Sequence, residues 1–204
     1  MITSLITTFI SAIGVSKIEL SDSTVSLIKS LEYRRVENNN GYISNNLNLL
    51  EGDMFLDIKK EILDNTNHYL TNILKISDGY ELNITTSWAN KHAPGDFSQE
   101  HNHVNSIISG ILFVDVDENS GKNIFYNPQQ NLGLSLELNY QEFNQFNSNF
   151  IETQPGTGDL FLFPSSLKHS VTKNLSDQDR YTIAFNIFLN GTYGSHERSL
   201  SLTI

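Results

Sequence analysis

The chain has 204 residues, of which 38% are hydrophobic and 18% are charged, so it is long enough for one domain with a buried core and is not a disordered chain. The net charge of −10 argues against nucleic acid or an anionic membrane as a partner. Cysteine is absent, which excludes disulfides, thiolate metal ligands and cysteine nucleophiles. This composition fits a cytoplasmic location, in a bacterium or in a phage-infected host.

Residues 1–20 are rich in β-branched side chains and have no basic start, so they predict strand and not a signal peptide. Asp22 or Ser23 is expected to cap a short helix. A turn is expected at 38–41, followed by a polar loop to Asn48. Apolar residues then recur at helical spacing over 54–74, which predicts a long amphipathic helix with its weakest point at 65–67. No segment reaches the roughly 20 apolar residues that a transmembrane helix needs.

After Gly79 the chain alternates between short β-prone runs and turns that contain Gly, Pro and Asn, which is typical of a sandwich or barrel. The predicted strands are 82–88, 107–114, 123–126, 132–138, 159–163, 182–188 and 199–204. The expected fold is mainly β with N-terminal helices, namely a double-stranded β-helix (jelly roll, cupin-like). We expect a single domain over 1–204, with a strand and supporting helices in 1–78 and the jelly-roll core in 79–204.

Three histidines stand where a metal site could form. His101 and His103 are two residues apart just before the apolar run 107–114, and such a pair on a strand points to one face. His169 follows the apolar run 159–163, which can lie beside the first run in a double-stranded β-helix. Since imidazole binds iron, zinc, copper and nickel, these three residues predict a metal site and an enzyme. Isolated histidines are expected to be ordinary core or surface residues: His68, His92 and His196.

A second group of side chains suits a carboxylate ligand. Arg180 and Thr182 alternate along a predicted strand and therefore face the same side, where a planar guanidinium and a hydroxyl could hold both carboxylate oxygens. The alternative for Arg180 is a surface ion pair with Asp177 or Asp179. Asn186 lies on the same face of this strand. Its amide either donates a hydrogen bond to a ligand in the pocket or is hydrogen-bonded within the core.

These motifs together resemble the iron(II)/2-oxoglutarate dioxygenases, and more narrowly a family of 2-oxoglutarate oxygenases common in phages and marine bacteria. The resemblance extends over most of the chain and is carried by Ser87-Trp88-Ala89-Asn90, Pro94-Gly95-Asp96, His101, His103, Asn105-Ser106, Ser109-Gly110, Gly158-Asp159-Leu160-Phe161-Leu162-Phe163-Pro164-Ser165, His169, Arg180, Thr182 and Phe185-Asn186. Any single element alone would be weak.

The resemblance implies a jelly-roll core that holds Fe(II), with 2-oxoglutarate as a bidentate ligand whose distal carboxylate pairs with Arg180 and Thr182. It also implies that Trp88 and Asn90 border the substrate or co-substrate pocket. The expected reaction is hydroxylation of an unactivated C–H bond in an amino acid, a peptide or another small molecule, with release of succinate and CO₂. Neither nucleic acid nor membrane is an expected partner, and edge strands would permit a homodimer.

The superfamily usually binds its metal with two histidines and a carboxylate, but the position two residues after the first histidine holds His103 here. Three ligand sets stay open. In the first, His103 completes a three-imidazole site. In the second, His103 is the first ligand and Asn105 is the second. In the third, His101 and His169 bind the metal together with water or chloride. Asp96 and Glu100 are nearby carboxylates that could enter from the loop.

Two other functions also stay open. A cupin-type metalloenzyme that does not use 2-oxoglutarate would fit the spacing from Gly95 to His101 and from Gly158 to His169, although the cupin glutamate is missing. A non-catalytic jelly-roll binding module or virion protein is less favoured, because the three imidazoles and Arg180 are all kept.

Overall fold

The computed structural model describes residues 4, 11–36, 40–128 and 139–204. In these ranges the strands are β1 (Gly14–Lys17), β2 (Tyr33–Val36), β3 (Gly41–Ser44), β4 (Glu81–His92), β5 (Ser98–His101), β6 (Ile108–Asp115), β7 (Asn123–Tyr126), β8 (Phe150–Thr153), β9 (Asp159–Pro164), β10 (His169–Val171), β11 (Arg180–Tyr193) and β12 (Leu200–Leu202). The α-helices are α1 (Asp22–Ser30) and α2 (Leu56–His68), and a π-helical turn, Tyr69–Ile73, follows α2. The predicted strand 132–138 and part of the predicted strand region 1–20 lie outside the described residues.

The strands form two antiparallel sheets. The larger sheet has the order β1-β9-β6-β11-β4-β3-β2, with β12 added to β11, and the smaller has the order β5-β10-β7-β8. Their facing sides meet through aromatic rings, since Phe125 of the smaller sheet lies 5.2 Å from Phe163 and 6.3 Å from Phe161 of the larger. The predicted mainly β jelly-roll fold with N-terminal helices is confirmed.

The larger sheet divides its side chains between two layers by strict alternation. On the outer face, residues such as Leu112, Ile183 and Phe185 join a buried cluster with Ile28 of α1 and Ile62 of α2. The inner face contributes Ile111, Phe113, Phe161 and Phe163 to a second cluster with Phe125 and Leu167. The interior between the sheets is therefore apolar around these rings, and the polar inner residues of β4 and β11 lie at its side.

The N-terminal segment contains more strand than predicted. β1, β2 and β3 all join the larger sheet, so the stretch expected as loop before Asn48 contains β3. These strands have four residues each; β1 and β2 are the two edge strands of the sheet, and β3 lies between β2 and β4. The division of the domain at residue 78 stays a prediction.

Both helices differ from their predicted bounds. The cap of α1 is Ser21, whose Oγ accepts from the Thr24 amide at 3.2 Å, while Asp22 is already in the first turn, where a negative charge suits the helix dipole. α2 continues through 65–67 to His68, and the side chains of Asn65 and Thr66 donate to the carbonyls of Glu61 and Ile62 one turn earlier. Within the ranges that the structure describes, no helix is long and apolar enough to cross a bilayer.

Candidate active site

Three imidazoles converge at one end of the smaller sheet. The ligand atoms of His101, His103 and His169 all lie within 4.8 Å of one another. The rings of His101 and His169 are 4.3 Å apart, and the ring of His103 lies 5.4 and 5.2 Å from them. His101 ends β5 and His169 begins β10, and the two are direct cross-strand partners. The structure therefore brings together the three histidines that the sequence singled out.

His103 reaches this group in a different way from the predicted one. It lies beyond the end of β5, so shared orientation along a strand does not bring it to His101. Its backbone N–H instead donates to the Ser165 carbonyl at 2.9 Å, which ties the segment after β5 to the turn after β9. His169 begins its own short strand, β10, after that turn.

Two of the three imidazoles have one side engaged by a hydrogen bond. Nδ1 of His101 lies 2.8 Å from the Gln99 carbonyl, and Nδ1 of His169 lies 3.0 Å from the Leu167 carbonyl. Because a carbonyl can only accept, Nδ1 carries the proton in both rings, and Nε2 keeps a lone pair for a metal.

Burial keeps two of these rings neutral. It lowers the pKa of His103 to about 4, with a smaller contribution from His101 and an opposing one from Asn186. Burial also lowers the pKa of His169 to about 3, again with His101 as the next cause. A neutral imidazole is the form that binds a metal, so at neutral pH both rings are ready to act as ligands.

The nearby carboxylates are engaged elsewhere. Asp96 accepts from Arg35 at 3.1 Å and from the Ala93 amide at 3.0 Å. Glu100 forms an ion pair with Lys168 at 2.9 Å. Among the described residues, the group that could hold a metal at this site consists of the three histidines and includes neither carboxylate.

Arg180 is buried between the sheets. It is 1% exposed, its Nη2 donates to Asn123 Oδ1 at 2.7 Å, and its guanidinium lies 5.4 Å from the Phe113 ring centre. No described residue forms an ion pair with it, and Asp179 pairs with Lys91 instead. Burial lowers the pKa of Arg180 to about 10, so the guanidinium remains charged at neutral pH.

Three of the other predicted residues form a chain of hydrogen bonds across β4 and β11. Trp88 Nε1 donates to Asn90 Oδ1 at 2.9 Å, and Asn90 Nδ2 donates to Thr182 Oγ1 at 3.2 Å. The Trp88 ring stacks on His103 at 5.9 Å. Among the described residues, the Thr182 hydroxyl hydrogen has no acceptor, so it can donate to a ligand.

Two residues of this site were missed by the sequence interpretation. His92, expected to be an ordinary histidine, is the cross-strand partner of Arg180, and its Nε2 lies 2.9 Å from Ser98 Oγ. Burial, and then the charge of Arg180, lower the pKa of His92 to about 3. Alternation on β4 could have identified it, because it shares a face with Trp88 and Asn90. Asn123 is fully buried, yet nothing in the sequence distinguishes it from a turn asparagine.

A carboxylate would fit beside Arg180. In the described part of the chain, three buried side-chain nitrogens have no hydrogen-bond partner: His92 Nδ1, Asn123 Nδ2 and Arg180 Nε. All three belong to neighbouring residues, and a buried cation with unpaired donors around it is costly unless an anion joins it. The distal carboxylate of 2-oxoglutarate has the charge and the acceptor oxygens to fit the donors of Arg180 and Asn123, as the neutral imidazoles fit Fe(II).

A family model described as "Putative 2OG-Fe(II) oxygenase" matches residues 86–186 of the chain. This segment contains all the residues of the site described above. No curated protein sequence matches the chain.

Solved structures share the fold over most of the chain. A 2OG-Fe(II) oxygenase family oxidoreductase from Burkholderia pseudomallei aligns with a TM-score of 0.58 at 11% identity, over 85% of this chain and 84% of that one. A prolyl-4-hydroxylase from Pseudomonas putida aligns with a TM-score of 0.54 at 13% identity, over 87% and 92%. HygX from Streptomyces hygroscopicus, solved with nickel, 2-oxoglutarate and hygromycin B, aligns with a TM-score of 0.57 at 11% identity, over 87% and 82%.

The solved structures show which fold the chain shares, and the family model shows which family residues 86–186 match. The predicted cofactors, Fe(II) and 2-oxoglutarate, are those of the matched family. The resemblance found in the sequence motifs is thereby confirmed: residues 86–186 match the 2OG-Fe(II) oxygenase family, and the chain is a 2-oxoglutarate-dependent oxygenase.

Proposed function

We propose that the chain hydroxylates an unactivated C–H bond of an amino acid, a peptide or another small molecule. Fe(II) is held by His101, His103 and His169, and 2-oxoglutarate is held by Arg180 and Thr182. The observation that carries this proposal is the pairing of three converging imidazoles with a buried guanidinium that has no counter-charge among the described residues.

The spacing of the two groups suits one co-substrate molecule. Asn123, which contacts Arg180, precedes Phe125 by two residues on β7, and Phe125 is the cross-strand partner of His169. Two residues along a strand span about 7 Å. This span allows one end of 2-oxoglutarate to reach the metal while its distal carboxylate reaches Arg180.

His103 is the preferred third ligand. Its ring lies beside both other imidazoles, it is buried and neutral, and the two candidate carboxylates are bound to cations elsewhere. Three neutral imidazoles leave the metal with one positive charge more than the usual set with two histidines and a carboxylate.

The described side chains then have separate tasks. Arg180 and Asn123 bind and orient the distal carboxylate, to which Thr182 donates its hydroxyl hydrogen. Asn90 fixes Thr182 by donating to its oxygen and fixes Trp88 by accepting from its indole. Trp88 lies against His103 and borders the space in which the substrate would lie.

The bound metal and co-substrate supply the oxidative chemistry, in which one atom of O₂ enters succinate and the other enters the product. The sum is 2-oxoglutarate + O₂ + R–H → succinate + CO₂ + R–OH. The similar structures support a substrate of either size, since one is a prolyl hydroxylase and another holds hygromycin B. The cytoplasmic location and the homodimer stay predictions.

The test begins with metal-free protein reloaded with Fe(II) under nitrogen. Air and 2-oxoglutarate are then added, succinate is measured, and mass spectrometry searches a panel of amino acids and short peptides for a gain of one oxygen atom. We expect succinate only when iron and 2-oxoglutarate are both present. Iron-replete protein that forms no succinate, with or without the panel, contradicts the proposal and favours the cupin-type alternative.

A further inference from the structure

The ring of His92 lies against the bare backbone of the neighbouring strand. A Cβ added to Gly41, the first residue of β3, would lie 2.8 Å from Cδ2 of the His92 ring and 3.0 Å from its Nε2. The Cδ2–Nε2 edge of the ring therefore faces β3, and Nδ1 is the ring atom opposite this edge. Because β4 lies between β3 and β11, Nδ1 is directed toward β11, where the cross-strand partner of His92 is Arg180.

Two polar contacts join the two sheets at this end of the interior. His92 Nε2 lies 2.9 Å from Ser98 Oγ on β5, and Arg180 Nη2 donates to Asn123 Oδ1 on β7. Ser98 and Asn123 pair with the same residue of β10, Val171, from its two sides. Since neighbouring strands lie about 4.8 Å apart, the two contacts are separated by about 10 Å along the smaller sheet. A carboxylate between them would be within reach of both.

Each of these contacts leaves nitrogen atoms unpaired. In the part of the chain that the structure describes, His92 Nδ1, Arg180 Nε and Asn123 Nδ2 are buried and have no hydrogen-bond partner. His92 is only 4% exposed, so bulk water does not reach its Nδ1. Because a buried polar nitrogen without a partner is unfavourable, an unpaired nitrogen on a ring held in this way indicates a partner that arrives with a ligand.

The His92 ring can present Nδ1 as a donor. Burial, and then the charge of Arg180, lower the pKa of His92 to about 3, so at neutral pH the ring is neutral and has one N–H. The Ser98 hydroxyl can donate its hydrogen to Nε2, which then acts as an acceptor. The ring proton is then on Nδ1, and an anion beside the guanidinium favours this tautomer because its oxygen accepts that hydrogen.

We infer that His92 is a further binding residue for 2-oxoglutarate, whose distal carboxylate accepts the Nδ1 hydrogen of His92 while Arg180 and Asn123 bind the same group from the other side. This inference rests on the proposed function, in which that carboxylate lies beside Arg180. It gives a role to a histidine that the sequence predicted to be ordinary. It also gives a role to Gly41, since a larger side chain there would displace the ring.

The experiment compares 2-oxoglutarate with 2-oxopentanoate, which has the same carbon chain but a methyl group in place of the distal carboxylate. Calorimetric titration of the Fe(II)-loaded protein under nitrogen measures both dissociation constants, and their ratio gives the preference for the carboxylate. His92→Gln keeps a polar group near the position of Nε2 but loses the one at Nδ1, whereas His92→Asn keeps an amide at the position of Nδ1.

Asn174→Ala is the matched control. The Asn174 side chain is 2% exposed, and its Nδ2 donates to the main-chain carbonyl of His92 at 2.9 Å and not to the ring. This variant therefore removes a buried polar contact of the same residue while the imidazole stays in place.

We expect His92→Gln to bind 2-oxoglutarate about 10–100-fold more weakly, which is the usual effect of losing a hydrogen bond to a charged group. Its affinity for 2-oxopentanoate should equal that of the wild type, because this ligand has no oxygen near Nδ1. His92→Asn should keep most of the preference for the carboxylate, and Asn174→Ala should keep all of it even if its melting temperature falls. His92→Leu replaces His92→Gln in the comparison if that variant does not fold.

An unchanged preference in His92→Gln or His92→Leu would overturn the inference. So would an equal loss of affinity for both 2-oxo acids, or a loss of preference in His92→Asn or Asn174→Ala as large as in His92→Gln, because a purely structural histidine predicts these results. Wild-type protein that binds 2-oxoglutarate no more tightly than 2-oxopentanoate would instead refute the carboxylate pocket on which the proposed function stands.

Discussion

The two faces of β11 are equally buried but have opposite chemistry. Arg180, Thr182 and Asn186 face the interior between the sheets, while Ile183 and Phe185 face the helices, and all five are at most 9% exposed. The outer pair packs into the apolar cluster. The inner residues bond other polar side chains at a cost in desolvation. The outer face of β11 therefore stabilises the fold, while its inner face provides the polar side chains that we propose bind the ligands.

The largest effect should follow the loss of a metal ligand. His169→Ala removes one of three imidazoles, so we expect it to lose stoichiometric Fe(II) and all turnover while keeping its fold. Metal analysis, succinate formation and circular dichroism measure the three properties. His68→Ala, at an exposed histidine on α2, is the control. An active, iron-replete His169→Ala protein would remove His169 from the site.

On the outer face, Phe185→Ala should affect stability instead. The ring is fully buried, and Gly110 opposite it has no room for a Cβ, which would lie 2.2 Å from the ring. We expect the free energy of unfolding to fall by about 3–5 kcal/mol in urea titrations. The folded variant should keep its affinity for 2-oxoglutarate, and a large loss of that affinity would show that the two faces are not independent.

On the inner face, Arg180→Leu should weaken the binding of 2-oxoglutarate and have little effect on stability. Losing a charge-assisted bidentate contact costs about 2–4 kcal/mol, which corresponds to roughly 30–1,000-fold weaker binding of 2-oxoglutarate. Calorimetric titration of Fe(II)-loaded protein under nitrogen measures this change, and the free energy of unfolding should change less. Unaltered affinity would mean that the carboxylate binds elsewhere.

Asn123→Asp should weaken the binding of 2-oxoglutarate by providing Arg180 with an internal counter-charge. The new carboxylate would lie where Oδ1 now accepts from Nη2 at 2.7 Å and would compete with the co-substrate. We expect about 10–100-fold weaker binding of 2-oxoglutarate at an equal or higher melting temperature. A variant that binds as tightly as the wild type would show that the guanidinium does not need its charge for this ligand.

The sequence predicted the fold class because its signals are local. β7 was predicted at its observed bounds, since an apolar run between turns identifies it, whereas β5 and β10 were missed because they are short and partly polar. β4 was predicted to end four residues too early, since 89–92 contains the polar inner residues Asn90 and His92.

The residue types at the site could also be predicted, but the contacts that bring these residues together could not. His101 and His169 pair across strands that are far apart in sequence, and the position of His103 depends on a contact with Ser165. The importance of His92 and Asn123 follows from unpaired nitrogens, which only the three-dimensional arrangement reveals.

The most direct test of the account is an anaerobic titration of Fe(II)-loaded protein with 2-oxoglutarate, followed by visible absorption. A 2-oxo acid that chelates iron gives a weak charge-transfer band of pink-violet colour. We expect this band to saturate at one 2-oxoglutarate per iron in the wild type, to be absent in His169→Ala and to need far more 2-oxoglutarate in Arg180→Leu. A wild-type protein that binds one Fe(II) but develops no band would contradict it.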